Sequence, residues 1–185
     1  TIGQYYKVEF TILDYLSGQI RISLGGSATS LVSANGTYVF YLQATINNVL
    51  VLQPLDGSGT NLSITNISVK EVGQNWTSEQ GIWTFGDSVA NGNGANGSGE
   101  ELVSNSSSLP LGTYKIVFEI KDYVSGSVNP YLSGSTETFS GNGVYTTYKT
   151  TTTLSSIKFR GTNFNGSITN ISVIEITDDT SLPRI

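Results

Sequence analysis

The residues of this chain that could do chemistry are its paired carboxylates. Two acid pairs occur, Glu100 with Glu101 and Asp178 with Asp179. A glycoside hydrolase needs two carboxyl groups that face each other across a cleft, about 5–10 Å apart. Neighbouring residues of a strand point to opposite faces of the sheet, and the two aspartates lie in a polar C-terminal stretch. We therefore expect solvated acids and no hydrolysis by this chain, so the sequence predicts a protein that is not an enzyme.

Other catalytic and metal-binding chemistry is restricted by what the composition lacks. The sequence contains no histidine and no cysteine, so the usual general base, the commonest zinc ligands and disulfides are all excluded. A calcium ion would need several oxygen ligands from separate loops. Asp87, Asp122 and Glu175 could contribute to such a site, but no calcium-loop motif joins them. We predict no cofactor, and a structural calcium ion has no motif to support it.

A glycine-rich segment formally matches a nucleotide-binding pattern. GNGANG, residues 92–97, has the spacing G-x-G-x-x-G. A dinucleotide site needs that pattern between a strand and a helix, so that the helix N-terminus meets the pyrophosphate. Here a strand-like stretch follows, and no helical pattern does. We interpret the segment as a flexible loop.

Aromatic side chains are the remaining candidates for a site, because sugar C–H faces stack well on aromatic surfaces. For the two tryptophans, burial in the core or at a domain junction is the stronger expectation. Trp83 alternates with Phe85 as a core strand would, and Trp76 could fill the junction between domains. The candidates for glycan binding are Trp76, Trp83, Tyr131, Tyr145 and Tyr148.

The composition indicates which elements must position these residues. Charged residues make up only 12% of the chain, whereas Gly, Thr, Tyr, Val and Ile are frequent, which favours an all-β protein. The net charge of −5 predicts no nucleic-acid partner. No apolar run approaches the roughly 20 residues of a membrane-spanning helix, so no membrane span is expected.

The chain contains a long internal repeat. SITNISVKEV at 63–72 returns as SITNISVIEI at 167–176, with eight of ten positions identical. YKVEFTILDYLSGQIRISLGG at 6–26 aligns with 114–134, and ANGTY at 34–38 aligns with GNGVY. A period of more than 100 residues is too long for a solenoid, whose units run about 20–50 residues. The sequence therefore predicts a duplicated domain.

Period-two alternation runs through the repeated blocks and predicts half-buried antiparallel strands. The turn residues Asp-Tyr-x-Ser-Gly (14–18 and 122–126) then predict a hairpin in each copy. Asn66 and Asn170 lie in Asn-x-Ser sequences, but a break in the alternation there favours a β-bulge. The predicted inward residues are Tyr6, Val8, Phe10 and Ile12, with Tyr114, Ile116, Phe118 and Ile120 in the second copy. The predicted strands of the second copy are 82–90, 101–105, 113–121, 127–132, 144–149, 155–160 and 168–176.

Together these patterns predict tandem antiparallel β-sandwich domains of jelly-roll type. We assign 1–72 to the C-terminal part of one module, 73–176 to a complete module, and 177–185 to a linker that leads into a further domain. The first module would lack its opening strands, because 73–108 has no counterpart in the first copy. A late start, strands donated by another chain and a minimal module all fit this difference, and we favour the late start.

These sequences also resemble a known type of module. The combination of YKVEF, SLGG, NGTY and SITNISVKEV, together with a GIWTFGDSVA opening, resembles a repeated module of bacteriophage tail-fibre and appendage proteins. The module is similar to jelly-roll carbohydrate-binding modules, and the closing DDTSLPRI resembles a junction in such proteins. The resemblance implies a virion or extracellular location. It implies other virion proteins or further copies of the chain as partners in a homo-oligomer, and host-surface glycans as ligands.

The resulting functional expectation is a non-enzymatic virion appendage protein whose modules bind host-surface glycans or act as adhesive spacers. One alternative is a purely structural or decoration module that packs against virion neighbours. Another is an accessory carbohydrate-binding module of a secreted glycan-degrading enzyme. Because a fold can serve many functions, the sequence leaves these alternatives open.

Overall fold

The computed structural model describes residues 1–55, 59–79, 82–94 and 100–177. These residues form an all-β, antiparallel structure with no α-helix, which confirms the predicted fold class. The chain divides into two compact units, Thr1–Val72 and Gly73–Ile185. The strands are β1 (Tyr5–Ser17), β2 (Ile20–Leu24), β3 (Ser27–Ala28), β4 (Gly36–Gln43), β5 (Leu50–Pro54), β6 (Asn61–Val72), β7 (Trp76–Ser78), β8 (Thr84–Phe85), β9 (Val89–Asn93), β10 (Glu100–Ser104), β11 (Gly112–Tyr131), β12 (Gly143–Thr151) and β13 (Lys158–Ile176).

The first unit consists of two three-stranded antiparallel sheets around one core. β1 lies between β4 and β6 in one sheet, and β2 lies between β3 and β5 in the other. Alternate side chains of each strand share one face, so both sheets can turn an apolar face toward the same core. The predicted inward residues Val8, Phe10 and Ile12 are fully buried there, and Tyr6 packs against them partly buried. The core also contains Ile20, Ile22, Leu24, Val32 and Leu42.

The second unit is organised around two long paired strands. β11 and β13 contain 20 and 19 residues, and they pair antiparallel along most of their length. β12 pairs with the first half of β11, and β9 pairs with the middle of β13. β10 pairs with the start of β13, and β7 pairs with β10. The core side chains with at most 1% exposure include Trp83, Leu102, Ile116, Phe118, Ile120, Phe159, Phe164 and Ile168.

The predicted hairpin at Asp-Tyr-x-Ser-Gly is wrong in both copies. In the first unit residues 14–17 of the segment form the end of β1, and β1 and β2 belong to different sheets and do not pair. In the second unit it lies inside the continuous strand β11, so the predicted strands 113–121 and 127–132 are one strand. Asp122 and Gly126 have φ values of +51° and +78°, which bend the strand without reversing it. A hairpin would need the two arms to pair with each other, whereas both arms of β11 pair with β13.

The predicted β-bulges at Asn66 and Asn170 are confirmed. Both asparagines have left-handed φ values, +53° and +51°. In the first unit Glu9 pairs with Ser68 and Thr11 pairs with Thr65, so two residues of β6 oppose one residue of β1. The pairing of β11 with β13 shifts at the equivalent step. Asparagine tolerates left-handed backbone better than most residues, which explains why this residue type occupies both bulges.

Within the described ranges of the chain, no helix is long and apolar enough to cross a bilayer.

Candidate functional site

The two tryptophans lie inside the second unit. Trp83 is 0% exposed and its ring centroid lies 5.7 Å from that of Phe164, which confirms the expectation of a core residue. Trp76 is half-buried in β7, with its ring edge-to-face against Phe159 at 5.8 Å. Because a sugar ring stacks only on an accessible aromatic face, the structure leaves no exposed surface of Trp83 for a ligand.

The three candidate tyrosines lie in different surroundings. The guanidinium carbon of Arg160 lies 3.3 Å from the centroid of the Tyr131 ring, so a cation covers one face of that ring. Tyr145 packs on Phe118 at 5.5 Å, and its hydroxyl donates to the carbonyl of Ser140 at 2.7 Å. Tyr148 is 41% exposed. Of the five sequence candidates, Tyr148 is therefore the aromatic residue that offers the most accessible face.

Glu101 is not a solvated acid, and that expectation is wrong. It is 6% exposed, and it accepts hydrogen bonds from the Lys158 ammonium and, at 2.5 Å, from Arg160 Nε. The physical reason is the sheet order: β10 lies between β13 and β7, and Glu101 pairs directly with Arg160 of β13. Burial opposes ionisation of Glu101, but the hydrogen bonds from Lys158 and Arg160 outweigh it and lower the pKa of the carboxyl group.

This ion-pair cluster has a structural role. A general acid must hold a proton near neutral pH, whereas both cations stabilise the ionised form of Glu101.

The side chain of Glu100 and the residues Asp178 and Asp179 lie outside the described residues, as do residues 95–97 of the glycine-rich segment. The first residues of the glycine-rich segment, Gly92 and Asn93, end strand β9, and Gly94 follows them. The predicted linker also lies outside the described residues from position 178 onward.

The suggested calcium ligands do not gather at one point. In the described part of the chain, no three acidic side chains form a group that could hold a metal ion. Asp122 instead accepts a 3.5 Å hydrogen bond from Ser167 at the bend of β11. The structure therefore places no calcium site at Asp87, Asp122 and Glu175.

A pair of residues recurs on the outward sheet face of each unit. In the first unit Tyr41 of β4 lies directly opposite Lys7 of β1, and in the second Tyr148 of β12 lies directly opposite Lys115 of β11. Directly opposed residues of an antiparallel pair project from the same face of the sheet. Both tyrosines are 41% exposed. We call these two arrangements the Tyr–Lys pairs.

The repeat explains why the Tyr–Lys pairs match. Each copy contains N-G-x-Y-x-x-Y, at 35–41 and at 142–148. Two tyrosines three positions apart in a strand point to opposite faces. The first, Tyr38 or Tyr145, packs on the core phenylalanine at 5.5 Å, and the second reaches the outer face. Tyr41 is not among the candidates predicted from the sequence, although the repeated N-G-x-Y-x-x-Y spacing could have identified it.

An exposed valine lies on the same strand as the tyrosine of each Tyr–Lys pair. Val39 is 42% exposed on the strand of Tyr41, and Val144 is 68% exposed on the strand of Tyr148. A tyrosine ring can stack on a sugar, while its hydroxyl and the lysine ammonium can form hydrogen bonds with sugar oxygens. The Tyr–Lys pairs can therefore bind a polar ligand by stacking and hydrogen bonding, and they contain no acid–base pair for hydrolysis.

The sequence was also compared with known families and with curated proteins. No protein-family model matches the chain, and no curated protein matches it significantly.

Proposed function

We propose that this chain is a pair of non-enzymatic β-sandwich modules of a bacteriophage virion appendage, such as a tail fibre, and that the modules contact host-surface glycans. The observation that carries the glycan contact is the recurrence of the Tyr–Lys pairs at equivalent positions of both units. The phage context comes from the resemblance of the repeated sequence blocks to a module of bacteriophage tail-fibre and appendage proteins.

Repetition suits weak glycan binding. A single exposed tyrosine on a sheet face contributes modestly to affinity, and an exposed lysine contributes less. Two copies on one chain raise the apparent affinity for a repetitive polysaccharide, because the second contact forms at a high effective concentration. Further copies of the chain in an oligomeric appendage would extend this effect. Avidity is thus the means by which these modules would hold a host surface.

A structural spacer is the second candidate. The observation that favours it is the state of the other aromatic residues: Trp83 is buried, Trp76 packs on Phe159, and Tyr131 lies beneath Arg160. These residues stabilise a rigid module and do not form an aromatic platform. A spacer would hold neighbouring virion proteins apart without any glycan contact.

An array of bacterial surface polysaccharides, probed with the full chain, tests the proposal. Tyr41→Ala and Tyr148→Ala should each weaken binding roughly three- to tenfold, and the double variant should lose it. The matched controls Tyr41→Phe and Tyr148→Phe keep the aromatic ring and should retain most of the binding. Unfolding curves should show that all variants stay folded. A wild-type chain that binds no polysaccharide, or a double alanine variant that binds as well as wild type, would refute glycan contact and favour the spacer.

A further inference from the structure

Two strands of the first unit lack a neighbour that their counterparts in the second unit have. Residues 61–65 of β6 correspond to 165–169 of β13, which pair with β9. Residues 51–54 of β5 correspond to 158–161 of β13, which pair with β10. In the described part of the chain, β6 pairs only with β1, and β5 pairs only with β2. We call the unpaired sides of 61–65 and 51–54 the open edges.

The repeat and the strand register together establish the correspondence of β5 with the start of β13. Ile22 and Pro130 occupy the same position of the repeat. Ile22 lies opposite Leu52 of β5, and Pro130 lies opposite Phe159 of β13. Leu52 of the first unit therefore takes the place of Phe159 in the second.

Core side chains along the open edges are less covered than their counterparts in the second unit. Leu52 and Ile64 are only half-buried, whereas Phe159 and Ile168 are 0% and 1% exposed. In the second unit β10 and β9 run directly beside these two buried residues. Unpaired backbone groups next to incompletely buried apolar side chains form a template for an added strand.

Both hydroxyl groups that hold the β9 segment are present at the open edge of β6. In the second unit Ser167 donates a 2.7 Å hydrogen bond to an asparagine of β9. Thr169 donates a 2.8 Å hydrogen bond to the carbonyl of Ser88, the residue that precedes β9. Ser63 and Thr65 stand at the same positions of the first unit. The first unit thus presents the same two donors to a strand of the β9 type.

The open edge of β5 fits the side chains of a strand such as β10. Val103 of β10 lies opposite the position that Val51 occupies in the first unit, where Val51 is 43% exposed. The leucine before Val103 would meet Leu52 on the core face. Gln53 accepts a 2.9 Å hydrogen bond from Arg21, and its amide nitrogen can donate to an acceptor on the added strand. An acceptor followed by two apolar residues, as in the Glu-Leu-Val of β10, therefore suits this edge.

A second copy of the chain is a poor donor of such strands. Its own opening segment, residues 73–108, is already part of the core of the second unit, where Trp83 and Leu102 are 0% exposed. Donating that segment to a neighbouring copy would uncover the core it leaves, so the exchange would lose what it gains. Pairing β6 with β6 of another copy would satisfy backbone groups but would leave the edge of β5 unpaired.

We propose that the open edges bind a β-segment with the chemistry of the opening segment, supplied from outside the 185 residues of the chain. One strand of this ligand adds antiparallel to β6, as β9 adds to β13, and the other adds to β5, as β10 adds to β13. Docking completes the core of the first unit and fixes the unit to the polypeptide that carries the segment. This interaction surface goes beyond the proposed glycan contact and does not depend on it.

Hydrogen exchange of the full chain, with and without a synthetic peptide of residues 73–108, tests the proposal. In the free chain, amides at 61–65 should exchange faster than those at 165–169, because only the latter have strands on both sides. The peptide should slow exchange at 61–65 and at 51–54 roughly tenfold or more. A peptide with the same composition in scrambled order is the control and should leave exchange unchanged.

Removal of the two hydroxyl groups tests the placement of the ligand on β6. The double substitution Ser63→Ala and Thr65→Val should weaken peptide binding roughly three- to tenfold, as measured by the fluorescence anisotropy of labelled peptide. Its melting temperature should stay close to that of wild type, because both changes suit a strand and leave the apolar contacts in place. Thr37→Val, on the opposite edge strand β4, is the matched control and should bind the peptide as wild type does.

Four results would overturn the inference. They are the absence of peptide binding, protection that appears only at 158–169, unchanged affinity in the Ser63 and Thr65 variant, and a dimer of the full chain in which 61–65 is already protected. Protection confined to 158–169 would mean exchange of the peptide into the second unit, and the dimer would make a second copy the occupant. Each of these results leaves the proposed glycan contact standing, because that contact is tested on the opposite edge strands.

Discussion

Arg160 donates a hydrogen bond from Nε to Oε1 of Glu101 at 2.5 Å, although the two residues are 59 positions apart in the chain. The same carboxylate also binds the ammonium of Lys158. This contact joins β10 to β13 at an acid that is 6% exposed. Arg160 also lies over the ring of Tyr131, so one cluster connects strands β10, β11 and β13.

Replacing Glu101 should destabilise the second unit. Glu101→Ala leaves two cations without their shared carboxylate, and we expect a loss of about 2 kcal/mol in the free energy of unfolding. The loss stays below that of a fully buried ion pair because Lys158 and Arg160 are 28% and 35% exposed and can regain water. Urea unfolding measures it. Glu9→Ala, at a side chain that is 42% exposed, is the matched control and should change stability by less than about 0.5 kcal/mol. Equal effects of the two substitutions would contradict the structural role of Glu101.

Stability should fall in acid because two carboxyl groups have lowered pKa values in the folded state. Hydrogen bonds from Lys149 and Thr147 lower the pKa of Glu137, and those from Lys158 and Arg160 lower the pKa of Glu101 against the effect of burial. The unfolded chain then binds more protons than the folded chain, so stability rises with pH. The contribution is complete above the usual carboxyl pKa of 4.5 and disappears as the pH falls through the lower folded-state values.

Thermal unfolding between pH 7 and pH 3 measures this dependence. Glu101→Gln should show a shallower decline than wild type, because one of the two linked protonation steps is removed. Glu137 is half-exposed, so solvent screening makes its share smaller. An identical pH dependence in wild type and Glu101→Gln would show that Glu101 does not carry the effect.

Asn66, at the bulge of the first unit, should tolerate glycine and reject branched residues. Asn66 has φ of +53°, where a β-branched side chain clashes with its own backbone. We expect Asn66→Val to destabilise the first unit by about 1–2 kcal/mol and Asn66→Gly to be close to neutral. Chemical denaturation of the three proteins compares them directly. If Asn66→Val is as stable as Asn66→Gly, the left-handed bulge is not required there.

Two glycines with positive φ values should respond differently to alanine. Gly126 has φ of +78°, and a Cβ atom there would lie 2.1 Å from the carbonyl oxygen of Asn163. Gly134 has φ of +90° and no atom within 4 Å of such a Cβ position. Gly134→Ala should cost about 1 kcal/mol from backbone strain alone, whereas Gly126→Ala should cost about 3 kcal/mol or more, because β11 and β13 must separate. Calorimetric unfolding distinguishes the two. Similar melting temperatures for both variants would mean that the strands do not approach closely at the bend.

Several features of the fold could be predicted from local sequence. Alternation placed Ile116, Phe118 and Ile120 in the core, because period two is a property of the strand itself. The break in that alternation located the bulge at Asn170, because the extra residue of a bulge interrupts period two. The left-handed φ of Asn170 then restricts the residue type at that position. Burial of Trp83 followed from its alternation with Phe85. Each of these conclusions depends on neighbours in the chain.

Other features depended on strands that are distant in sequence. The turn residues around Asp122 are compatible with either a hairpin or a bent continuous strand, and only the pairing of both arms with β13 decides between them. The environment of Glu101 depends on cations of another strand in the same way.

By itself, the sequence determined an all-β duplicated chain with its alternating core and its bulges, since these follow from short-range stereochemistry and from repetition. The tertiary structure alone decided that Glu101 is buried and that Tyr41 and Tyr148 each lie beside a lysine on an outer face. The physical reason is that burial and cross-strand contacts depend on which strands become neighbours, and the residues of one strand do not specify that choice.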